Sequence, residues 1–115
     1  MKKFTLKKSQ IVRRHSEFQA VYIHGKSLAN RFIVIYLAPT DSDFKVGFAA
    51  GKKLGNAVTR NRIKRILREA FRLNQHRIDF HGKILIVGRK SLIEKKSTDV
   101  AHALIDIFKR AEILK

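Results

Sequence analysis

Lys52–Arg72 reads KKLGNAVTRNRIKRILREAFR, with eight basic residues and a single acid, Glu69. From about Asn56 onward, Ile63, Ile66, Leu67 and Ala70 recur at i, i+3, i+4 and i+7, the spacing of a helix with one buried face. At about 100° per residue, Arg60, Lys64, Arg68 and Arg72 form a contiguous arc, with Asn61 and Arg65 opposite the apolar face. Like charges at i, i+4 cost about 0.2–0.5 kcal/mol per pair, and the pairs 60/64, 64/68 and 68/72 all repel. A face shaped only for solubility would intersperse Glu with Lys and Arg. This face suits a polyanion.

The rest of the chain agrees with that reading. Its 115 residues carry a net charge of +17, a field that attracts nucleic acid or anionic lipid. An apolar fraction of 44% is that of a folded chain rather than a basic tail, and the length fits one domain over 1–115. Lys2, Lys3, Lys7, Lys8, Arg13 and Arg14 all precede the first acid, Glu17. With few Ser residues, no long apolar run and no small-residue cleavage site, 1–14 reads as a basic arm rather than a targeting peptide. No run of about 18 apolar residues is present to span a membrane. The absence of cysteine removes a disulfide framework and a thiolate zinc site, and suits the cytoplasm.

Around the basic helix, the pattern alternates between helix and strand. Ser16–His24 reads as a short helix with Ser16 as N-cap and Gly25 as its stop, placing Phe18, Val21 and Tyr22 on one face. Arg31–Ala38, RFIVIYLA, reads as a strand with Phe32, Val34 and Tyr36 on one side and Ile33, Ile35 and Leu37 on the other. Pro39–Asp43 reads as a hairpin turn into an antiparallel strand, Phe44–Ala50. Lys83–Gly88 is a third strand. Ser97–Ala111 is a closing helix, capped by Ser97 or Thr98, with Val100, Ala103, Leu104, Ile107, Phe108 and Ala111 along its stripe. The order αββαβα, with three or four strands, predicts an α+β fold: a two-layer α-β sandwich on a small mixed sheet. The strand–basic helix–strand segment is a candidate parallel crossover, right-handed by the general rule.

A membrane-surface helix would need interfacial aromatics, and the chain has no Trp. Arg guanidiniums suit phosphates because two N–H groups engage at once. Asn61 reads either as a contact to a base edge or ribose hydroxyl, or as a solvated helix residue. The loop Gly51-Lys52-Lys53-Leu54-Gly55 lacks GxxxxGK[ST] spacing, so it is no nucleotide site, although its N–H groups and lysines could hold an RNA phosphate. Phe18, Tyr22 and Tyr36 read as core by default. The two hydroxyls need partners if buried, so a groove that stacks unpaired bases is the alternative. The nine acids are scattered, the close pair Asp41 and Asp43 falling in the expected turn, and the five histidines lack ligand spacing. No catalytic constellation is visible, and no metal ligand is assigned on the protein.

KKLGNAV at 52–58, Arg60-Asn61-Arg62 and IKRILREAF at 63–71 resemble the signature of the bacterial ribonuclease P protein component. SEFQAVY at Ser16–Tyr22 with Gly25, and Ser27–Tyr36 with Ala29-Asn30-Arg31, resemble the family's first helix and following strand entry. After Leu73 the match is only one of character, and nothing over 74–83 is assigned.

The resemblance implies the small basic subunit of a ribonucleoprotein endonuclease, a hydrolase that removes 5′ leaders from precursor tRNA. It implies that the catalyst is the RNA subunit, working with Mg²⁺ held mainly by that RNA. It also implies that Arg60, Asn61, Arg62, Lys64, Arg65 and Arg68 face the catalytic RNA, helped by Lys52 and Lys53. Phe18, Tyr22 and Tyr36 would line a cleft for the single-stranded leader. The family's βαβ crossover is left-handed, against the general rule. The rival is a non-catalytic RNA-binding module of ribosomal or chaperone type, and a DNA-binding protein is more distant still.

Overall fold

The computed structural model describes residues 6–115; Lys2 and Lys3 of the expected arm lie outside the described residues. Three helices, α1 (His15–His24), α2 (Ala57–Asn74) and α3 (Ser97–Arg110), accompany four strands, β1 (Lys26–Ala29), β2 (Ile33–Pro39), β3 (Lys45–Ala50) and β4 (Gly82–Gly88). The strands make one mixed sheet in the order β1-β2-β4-β3. This is the expected α+β architecture, and β1 is the fourth strand that the sequence left open.

The expected hairpin between β2 and β3 is a correction. β4 lies between them, antiparallel to β2 and parallel to β3, so the two run in opposite directions without pairing. A strand that is apolar on both faces is driven to the middle of a sheet. In β4, Ile84 and Ile86 are fully buried on one face and Leu85 nearly so on the other. Residues 40–44 therefore cross the end of β4 rather than turning back on β2. β3, α2 and β4 form the parallel crossover.

Alternation assigns the two faces. Ile33, Ile35, Val46, Ile84 and Ile86 meet Ile63, Leu67 and Phe71 of α2 and Leu104, Ile107 and Phe108 of α3 in the core. Each such aliphatic or aromatic side chain contributes about 1.5–3 kcal/mol by burial. Gly88 lets α2 sit close, because a Cβ there would lie 2.6 Å from Ile63 Cγ2. The opposite face carries Val34, Tyr36, Gly47, Ala49, Leu85 and Val87, and α1 crosses it.

Caps differ from expectation at the starts of α1 and α3. Asn56 caps α2, its Oδ1 accepting from Thr59 N at 3.0 Å. Arg14 rather than Ser16 precedes α1, with no side-chain cap. Gly25 does end α1, but its φ is −75°, so left-handed geometry is not the reason. A Cβ there would meet Val21 O at 2.5 Å and Leu37 O at 3.0 Å, and close approach selects glycine. At α3, Ser97 and Thr98 give way to Asp99, which accepts from Lys96 N at 3.4 Å. The described part of the N-terminal arm is built into the fold. Leu6 and Val12 are buried, and Val12 N donates to Val46 O at 2.9 Å along the β3 edge.

Candidate nucleic-acid interface

On the α1 face, a groove of about 300 Å³ is lined by Phe18, Gln19 and Tyr22 of α1 and by Ala49, Leu85 and Val87 of the sheet. Tyr36 adjoins it, its ring centroid 5.1 Å from that of Tyr22 at an interplanar angle of 55°. Tyr22 is 57% exposed, so it is no core residue. Tyr36 is half-buried, and burial raises its phenol above the ordinary value, with the Tyr22 hydroxyl reinforcing the shift. Phe18 is half-buried over Gly47. Of the three aromatics expected to share a groove, Phe18 and Tyr22 line it, and Tyr36 adjoins it through its ring contact with Tyr22. Phe32, expected on this face with Val34 and Tyr36, is not there: it precedes the first ladder residue of β2 and packs toward α3.

A second groove, of about 370 Å³, opens between the N-terminal segment and the basic helix. Ile11 and Val12 form one wall, Asn61, Lys64, Arg65 and Arg68 the other, and Phe18 and Phe48 also line it. Phe18 is thus common to both grooves. The aromatic surface and the cationic one are neighbours rather than separate sites.

The remaining cations of α2 divide by environment. Arg60 is half-buried, and its Nε is enclosed without a hydrogen-bond partner. Arg72 does not extend the cationic arc as read: its Nε donates to Glu69 Oε2 at 3.2 Å. That contact holds the Glu69 carboxyl below its usual range. Arg62 points to the other flank, where Nη1 donates to Ile93 O at 2.8 Å in the β4–α3 connection. Lys52 and Lys53 are exposed on the turn after Gly51, which itself lines the aromatic groove. Part of the backbone there is engaged within the chain. Leu54 N donates to Gly51 O, Gly55 N to Lys52 O and Arg60 N to Asn56 O.

Asp41 and Asp43 are exposed, with Asp43 Oδ1 3.8 Å from His81 Nδ1. Among the described residues, no three His, Asp or Glu side chains gather as a metal site. No described helix is long and apolar enough to cross a membrane. Sequence reasoning missed one positioning residue, Glu17, whose Oε2 lies 3.2 Å from Lys83 Nζ and 3.9 Å from Lys45 Nζ. Only its place as the first acid marked it.

Residues 6–112 match the family model described as Ribonuclease P. The chain belongs to the ribonuclease P protein family. A ribonuclease P protein component from Bacillus cereus (strain G9842) is 40% identical over 108 residues, covering 92% of this chain and 94% of its own. One from Syntrophus aciditrophicus (strain SB) is 41% identical over 105 residues, covering 90% and 88%. Among solved structures, the Staphylococcus aureus RNase P protein at 2.0 Å superposes with a TM-score of 0.83 at 31% identity, covering 94% of this chain and all of that one. The Thermotoga maritima RNase P protein gives 0.78 at 30% identity, covering 86% and 94%. Membership carries RNA binding, tRNA processing and partnership with a ribonuclease P RNA.

Proposed function

We propose that this chain is the protein subunit of a cytoplasmic ribonucleoprotein endonuclease that removes the 5′ leader from precursor tRNA, with the bond-breaking chemistry on the RNA subunit. The observation that carries the reading is the pair of grooves meeting at Phe18, one aromatic and one cationic. Lys64, Arg65 and Arg68 neutralise phosphates of the catalytic RNA, with Asn61 among them and Lys52 and Lys53 at the mouth of the cleft. Arg60 and Arg62 belong to the same docking helix, Arg62 reaching its far flank. Tyr22, Tyr36 and Phe18 hold unpaired leader bases, each stacked base contributing about 1–3 kcal/mol without demanding a sequence.

Holding the leader fixes the scissile phosphodiester relative to the catalytic RNA, a gain in orientation rather than in chemistry. Mg²⁺ stabilises charge on the transferred phosphate when bound. This chain's scattered carboxylates do not fit a cage for it, whereas RNA phosphates supply hard oxygen ligands. The protein's contribution is to bind and orient.

Nucleic acids recovered with the tagged protein from cells test this reading. One abundant structured RNA together with 5′-extended tRNAs is expected. Recovery of ribosomal RNA or of chromosomal DNA in their place would contradict it.

A further inference from the structure

A third groove, of about 480 Å³, lies away from both of these, between the entry to β2 and α3. Its construction is specific. Asn30 Nδ2 donates to Ala103 O at 2.9 Å, and Asn30 Oδ1 accepts from the N–H groups of Phe32 and Ile33, each at 2.9 Å. That network ties the strand entry that carries Phe32 to α3. Over the ring sit two cations, Lys95 Nζ at 5.3 Å and the Arg31 guanidinium carbon at 5.9 Å from its centroid.

Neither Arg31 nor Lys95 forms an ion pair among the described residues. Two like charges held on one ring repel, and a ring face offsets that only in part. A bound anion relieves it. The other side of the groove carries Asp99, His102 and Asp106 of α3. Those carboxylates oppose a bare phosphate but accept hydrogen bonds from hydroxyl or amino groups. The occupant this combination fits is a ribonucleotide within an RNA chain: phosphate on the cation pair, 2′-hydroxyl or base amine toward the acids. The site is also tied to the docking helix, because Arg62 holds the connection that carries Lys95 through its bond to Ile93 O.

We propose that Arg31 and Lys95, braced on Phe32, form a further RNA-phosphate site, separate from the basic helix groove and the aromatic cleft. This rests on the proposed role in ribonuclease P. The RNA strand could come from the catalytic RNA or from precursor tRNA, and the experiment separates the two. The double variant Arg31→Gln/Lys95→Gln removes both charges while keeping polar, unbranched side chains. Its affinity for catalytic RNA alone, and for precursor tRNA bound to the assembled holoenzyme, is measured across a salt series. Arg65→Ala/Arg68→Ala serves as the reference, and thermal unfolding checks each fold.

The expected result is a salt slope lowered by about two units for one of the two RNAs, with about tenfold weaker binding at moderate salt. Which RNA loses affinity identifies the source of the strand. Slopes unchanged for both RNAs, while the Arg65/Arg68 variant still loses slope, would overturn this site and leave the docking helix standing. Slopes unchanged in every variant would overturn the helix reading as well.

Discussion

The Phe18 ring occupies the space that a side chain at residue 47 would need. A Cβ built on Gly47 would lie 2.9 Å from Phe18 Cζ and 3.0 Å from Cε1. Glycine in the middle of β3 weakens the strand itself, and the gain is a flat bed for the ring that joins the two grooves. Gly47→Ala should tilt Phe18 off the sheet at a stability cost of about 1 kcal/mol. Affinity for leader-bearing precursor should fall more than affinity for mature tRNA, by direct binding to the holoenzyme. Equal affinity losses for the two would detach Phe18 from the leader.

Glu17 positions the same helix. Lys45 and Lys83 are register partners on β3 and β4, so two like charges stand side by side beneath α1. Glu17 Oε2 approaches both. Partly exposed pairs of this kind contribute about 0.2–1 kcal/mol each. Glu17→Gln should therefore leave the fold intact but loosen α1, reducing the preference for leader-bearing precursor. The charge exchange Glu17→Lys/Lys83→Glu should restore part of that preference. A preference unchanged in Glu17→Gln would show that α1 is seated without the pair.

Arg62 combines a structural bond with a free set of donors. Its guanidinium carries five N–H groups, and one is accounted for by Ile93 O at 2.8 Å. Arg62→Ala should lower unfolding free energy by about 0.5–1.5 kcal/mol. It should also lower the salt slope for catalytic-RNA binding by about one unit. Arg62→Lys should recover the slope more fully than the stability, because a point charge replaces the fork. Denaturant titration and salt-series binding read the two effects separately.

The phenol of Tyr36 titrates above its ordinary value because it is partly buried beside Tyr22. The folded state therefore holds this proton more tightly than the unfolded chain. The stability from that difference is fully present below the unfolded pKa of about 10 and is lost as pH rises through the folded one. Tyr36→Phe should flatten this alkaline loss in a pH series of unfolding free energies. An equally steep loss in the variant would assign it to other groups.

Much of this was legible from local pattern. The periodicity of Ile63, Leu67 and Ala70 gave α2, Val100 to Phe108 gave α3, and the aliphatic run at 84–87 gave β4. Strand order was not, because alternation reports which side of a strand is buried but not which strand lies beside it. β4 thus came between two strands that read as a hairpin. β1 is four residues, KSLA, with no strand pattern of its own; pairing with β2 from Lys26↔Leu37 to Ala29↔Val34 makes it a strand. In the candidate site, the neighbourhood of Phe18 and Tyr22 and the outer cations of α2 were readable by type and spacing. The Glu69 bond to Arg72, the Ile93 bond to Arg62 and the meeting of Lys95 with Phe32 depend on where loops land in three dimensions.

The central claim is that this protein assists an RNA catalyst. The direct measurement is cleavage of precursor tRNA at low Mg²⁺ by a catalytic ribonuclease P RNA, with and without the chain, beside the chain alone. The account predicts that adding the protein gives 5′-leader removal where the RNA alone is nearly inactive, and that the protein alone cleaves nothing. Leader removal by the protein without any RNA subunit, or no gain on adding it to the RNA, would contradict the account.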